Sequence, residues 1–98
     1  MAPRLNKLRS NKPFSNPFHP GEILLEEYLE PKGISQRAFT AQLGWTPRKI
    51  NEIIKAKRSI TALTAIDLAN ALGTTPEFWL DLQQTWDLIQ AYYLKDAA

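Results

Sequence analysis

The sequence predicts an all-α fold: five helices behind a flexible basic N-terminal arm. Three observations carry that prediction. Apolar residues recur at spacings of three and four in several segments, and none shows the alternation of a strand. Ser35, Thr46, Thr61 and Thr75 each precede such a segment, where a hydroxyl accepts from the orphan amides of a first helical turn; Pro47 and Pro76 then supply first-turn prolines. Gly33, Gly44 and Gly73 follow segments, where a left-handed residue stops a helix at little cost.

Taken in order, residues 1–20 hold prolines, serines and asparagines that break any period, and read as a flexible arm with a few apolar anchors. The first helix is expected over 21–30, with Ile23, Leu24 and Tyr28 on one side and Glu22, Glu26, Glu27 and Glu30 largely on the other. Pro31 and Gly33 end it. Ser35 caps the second helix, in which Phe39 and Leu43 share a face, and Gly44 closes it. Thr46 and Pro47 open the third, with Ile50, Ile53 and Ile54 as its apolar stripe. Two caps separated by one glycine describe a helix, a turn and a helix. A basic loop over 55–59 leads to a fourth helix, about 62–72. The last helix is expected over about 76–94, with a seam of Trp79, Leu82, Trp86, Ile89 and Tyr93 at heptad-like spacing. The organisation is thus an arm over 1–20 and one domain over 21–98 that ends in a candidate dimerisation helix.

Charge is segregated along this chain. Net charge is +4 over residues 1–20, −3 over 21–34, +5 over 35–60 and −4 over 61–98, which sums to +2. A localised basic field attracts polyanions even on a nearly neutral protein. Cysteine is absent, which excludes disulfides and thiolate metal sites. The apolar runs are short and interrupted, so no membrane span is expected, and the first twenty residues lack a secretory apolar region. A cytoplasmic protein follows as the expectation.

No catalytic constellation is visible. The single histidine, His19, falls in the arm with nothing in the sequence to pin it, and zinc would need more ligands than exist. No Gly-rich phosphate loop occurs, so neither an enzyme nor a cofactor is expected. DNA binding has positive support. With Thr46 as N-cap, Pro47, Arg48, Lys49, Asn51 and Glu52 occupy the first turns of the third helix, the part that enters a major groove in helix-turn-helix domains. Arg48 suits guanine O6 and N7, Asn51 suits adenine N6 and N7, and Glu52 suits cytosine N4. Gln36 and Arg37, at the start of the second helix, and Lys55, Lys57 and Arg58 suit phosphates.

These residues also resemble a known family. Ser35-Gln36-Arg37, Phe39, Leu43, Gly44, Trp45, Ile50 and Ile53 resemble the Xre/Cro–C1 type helix-turn-helix, a lambda-repressor-like fold. Over residues 19–92, the opening GEILLEEYLEP from Gly21 and the ending TPEFWLDLQ from Thr75 look like the HigA (VapI-like) antitoxins. The resemblance implies repression of the protein's own promoter by a homodimer on double-stranded operator DNA. It also implies neutralisation of a HigB-like toxin, a RelE-like mRNA endonuclease. A stand-alone Xre-type repressor without a toxin is the alternative. The pattern departs from the family at three places. Thr40 replaces a usual Ala, Lys55-Ala56 replaces a usual Asn-Gly, and Pro47 replaces a polar residue. At Ala56 a slightly different turn is expected rather than a left-handed residue.

Overall fold

The computed structural model describes residues 18–97. Of the flexible arm expected over 1–20, residues 1–17 lie outside the described residues. Five helices follow one another. The first, α1, is one α-helical stretch, Pro20–Ile23, continued with wider winding over Leu24–Leu29. Then come α2, Gln36–Leu43; α3, Pro47–Ile54; α4, Ala62–Leu72; and α5, Pro76–Ala97. The expected caps are in place. Thr61 Oγ1 accepts from Thr64 N at 3.3 Å and Thr75 Oγ1 from Phe78 N at 3.1 Å.

The folded body starts before residue 21. His19 is buried, and its Nδ1 accepts the Gly21 amide at 2.9 Å, so the imidazole acts as the N-cap of α1 and Pro20 as its first residue. This corrects the reading of His19 as an unpinned residue of the arm. The wide winding of α1 has a packing consequence. In an α-helix, residues five apart point about 140° from each other. Bonds from Glu30 N to Leu25 O and from Ile34 N to Leu29 O, both 2.9 Å, span five residues instead and turn Leu24 and Leu29 to one side. Both are fully buried, whereas Ile23 and Tyr28 are half-buried.

Leu24, Leu29, Phe39, Ile50, Ile53, Leu68 and Trp79 form the centre of the core. Each such side chain removed from water contributes roughly 1.5–3 kcal/mol. Gly21 lets α1 pass directly against the end of α3, since a Cβ there would stand 1.8 Å from the Ile53 carbonyl oxygen. The aromatic seam of α5 divides. Trp79 and Ile89 are 0% and 1% exposed within the single chain, so they cannot also form a dimer contact. Trp79 Nε1 donates to Thr74 Oγ1 at 2.7 Å, which satisfies the buried indole. Leu82, Trp86 and Tyr93 are half-buried, and Trp86 meets His19 edge-on at 5.2 Å between ring centroids. The exposed large apolar residues are others: Leu88, Tyr92 and Leu94 on α5, Phe78 at its start, and Leu63 and Ile66 on α4. No helix among the described residues is long and apolar enough to cross a membrane.

Candidate nucleic-acid interface

Local chemistry fixes the α2–turn–α3 unit at every joint. Ser35 Oγ accepts from Ala38 N at 3.0 Å. Gly44 is left-handed, at φ 70°, and Trp45 N returns to Thr40 O at 3.1 Å, closing α2. Thr46 Oγ1 accepts from Lys49 N at 3.1 Å and opens α3. Trp45 anchors the turn between these caps. Its ring packs edge-on to Phe39, and its Nε1 donates to Asp67 Oδ2 of α4 at 3.0 Å. Lys49 Nζ lies 4.4 Å from the Trp45 ring centroid, a cation held over an aromatic face.

Ile50 and Ile53 point inward and Ile54 packs half-buried against the core, so the opposite face of α3 is turned outward. Thr46, Pro47, Arg48 and Asn51 are exposed, as are Lys55, Lys57 and Arg58 beyond the helix and Arg37 on α2. Gln36 is half-buried. A cleft of about 370 Å³, lined by Gln36, Arg37, Thr40, Pro47, Ile50 and Asn51, brings the start of α2 beside the start of α3. Thr40 is 6% exposed and its hydroxyl has no hydrogen-bond partner among the described residues, so the departure from Ala leaves a buried polar atom unsatisfied.

Glu52 does not stand free to meet a base. Its Oε2 accepts from Arg48 Nε at 3.0 Å, and its Oε1 accepts from Arg58 Nε at 2.9 Å and Arg58 Nη2 at 2.6 Å. The Arg48 guanidinium, followed by that of Arg58, holds the Glu52 carboxyl below the usual carboxylate range. Both oxygens are engaged by arginines of the same surface.

The loop after α3 differs from its sequence reading. Ala56 is left-handed, at φ 61°. Lys57 N donates to Glu52 O at 2.8 Å and Ala56 N to Ile53 O at 3.1 Å, the paired bonds of a helix stop that usually holds glycine. The turn is therefore kept at a cost of about 1 kcal/mol for the methyl group. Three supporting roles were not read from the sequence. Asp67 pins Trp45. His19 caps α1. Gln83, 5% exposed, accepts from Ile60 N at 2.8 Å and donates to Asp87 Oδ1 at 2.9 Å, which ties the exit of the basic loop to α5. A glutamine one turn from Trp79, on the apolar side of α5, is the signal that marks it.

The assembled surface presents cations, amide donors and acceptors, and one cleft. Such an inventory is chemically suited to gripping phosphates by charge and reading base edges by hydrogen bonds. A family profile described as helix-turn-helix matches residues 25–79, more than half of the chain. The chain is 47% identical over 74 residues to virulence-associated protein I of Dichelobacter nodosus, a match spanning 76% of this chain and 68% of that protein. It is 43% identical over 72 residues to antitoxin HigA-1 of Vibrio cholerae, spanning 74% and 68%. The solved structure of Pseudomonas aeruginosa antitoxin HigA with the higBA promoter is similar at a TM-score of 0.79 and 35% identity, over 84% of this chain and 89% of that one.

Proposed function

The chain belongs to the helix-turn-helix family, together with relatives named HigA antitoxin and virulence-associated protein I, and from that premise we propose that it is a HigA-type antitoxin. As a homodimer it binds operator DNA in its own promoter and represses transcription, and it neutralises a HigB-like toxin. Arg48 and Asn51 read bases, aided by Thr46 and Pro47 at the tip of α3. Gln36, Arg37, Lys49, Lys55, Lys57 and Arg58 hold the backbone. The protein works in the cytoplasm, beside its operator.

One observation carries the DNA reading: α3 buries Ile50 and Ile53 and leaves Arg48, Asn51 and the following cations outward, on a helix capped and pinned at both ends. A rigid element presenting donors beside positive charge is what a major groove accepts. The dimer reading draws support from the outward Leu63 and Ile66. They lie on α4, which leaves the basic loop, so a seam there keeps two recognition helices close enough for half-sites one helical turn apart. The toxin reading rests on the family.

Co-expression with the toxin-like product of the same operon tests the antitoxin role. Co-purification and relief of growth arrest are the expected results. Operator binding without either would leave a stand-alone repressor.

A further inference from the structure

We infer that Glu52 is the positioning residue of the DNA-binding face: its carboxylate braces Arg48 and Arg58 in fixed outward poses and holds both guanidiniums back from non-cognate DNA. This deepens the DNA-binding reading and rests on it. The geometry is specific. Arg48 gives only its Nε to Glu52, which leaves the terminal Nη pair, the edge that pairs end-on with guanine O6 and N7, turned to solvent on a side chain 82% exposed. Arg58 gives Nε and Nη2 to a single oxygen, Oε1, and keeps Nη1 for a phosphate. One carboxylate thus orders two long side chains that belong to different segments, α3 and the loop after it.

Charge explains the second half of the role. Glu52 is the sole acid among residues 35–60, which carry six bases. A carboxylate on a DNA-facing surface repels phosphate, so on general electrostatic grounds it weakens binding to every duplex. Its compensation on the cognate site is order: an arginine already held in its binding pose loses less rotamer freedom on contact. On a non-cognate duplex no guanine meets the Arg48 fork, the order brings nothing, and the repulsion remains. Glu52 therefore lowers non-specific affinity more than specific affinity. Its lowered pKa, caused by Arg48 and then Arg58, keeps it ionised through the physiological range.

Glu52→Gln tests this, because it preserves shape and removes the charge. Binding to the cognate operator and to a scrambled duplex is measured by fluorescence anisotropy across a salt series, with thermal melting as a control on the fold. The expected result is a rise of about threefold in affinity for the scrambled duplex, no gain on the operator, and so a fall of about threefold in their ratio. Equal gains on both duplexes would reduce Glu52 to a bulk charge and overturn the proposal. A loss confined to one cytosine position would make it a base reader and overturn it as well. The double variant Glu52→Gln/Arg58→Gln keeps the test decisive if the single change shifts the melting point. The brace requires the two effects on the ratio to be strongly non-additive, and additive effects would contradict it. Absence of cognate binding by the unaltered protein would instead overturn the DNA-binding reading itself.

Discussion

Arg48 leaves the first turn of α3 with its end-on fork in solvent and its Nε against Glu52. Arg48→Ala is expected to cost about 1–3 kcal/mol on the cognate operator and to relax preference at one base pair. Competition binding against single-position operator variants checks it, and uniform weakening across all of them would move Arg48 to the phosphates. His19 carries a different prediction. Its Nδ1 must be unprotonated to accept the Gly21 amide, and burial pushes its pKa below the ordinary histidine value, with Asp87 opposing more weakly. The unfolded chain therefore binds this proton more readily than the folded one. The His19 contribution to stability is complete above about pH 6.5, declines as the pH falls below it, and levels off beneath the depressed folded value. Urea midpoints taken across that window should fall for the unaltered protein and change less for His19→Asn, which retains a cap without titrating. The sequence showed Arg48 clearly, because cap, proline and apolar stripe fix the outward direction of a helix. It showed His19 poorly, because a capping imidazole is rare and its neighbour Trp86 is distant in the chain.

The elements were legible from their ends more than from their middles. Ser35, Thr46, Thr61 and Thr75 all act as caps, and Gly44 and Gly73 are left-handed stops, since capping depends on residues adjacent in sequence. The winding of α1 was not legible. An α-helical period groups Ile23, Leu24 and Tyr28, whereas the wider turn buries Leu24 and Leu29, and only packing against the rest of the core selects between them. The division of the α5 seam likewise depends on which neighbours cover Trp79 and Ile89. Glu52 shows the same limit at the site. Spacing placed it outward, but its engagement by Arg58 depends on the left-handed turn at Ala56 folding the loop back. Gly21 joins the elements most tightly. Gly21→Ala is expected to destabilise the fold by about 3 kcal/mol or more, because the added Cβ meets backbone atoms of Ile53 and Ile54 that cannot rotate away. A denaturation midpoint close to that of the unaltered protein would mean that α1 is free to shift off α3.

At the scale of the whole molecule, charge and apolar surface lie on different elements. The cations gather on α2, α3 and the following loop, and the exposed apolar residues lie on α4 and α5. Leu63→Ser with Ile66→Ser should leave the monomer folded, since the two side chains are 77% and 44% exposed within it, while shifting the protein toward monomer in light scattering and weakening operator binding. A dimer unaffected by both changes would move the seam to Leu88 and Tyr92 on α5. The most direct test of the DNA-binding face is the salt dependence of operator affinity. Arg37, Lys49, Lys55, Lys57 and Arg58 from each protomer offer ten phosphate contacts per dimer, so the logarithm of the association constant should fall against the logarithm of salt concentration with a slope of about −9. An affinity indifferent to salt, or equal on operator and scrambled duplex, would contradict a groove-reading α3 flanked by phosphate-gripping cations.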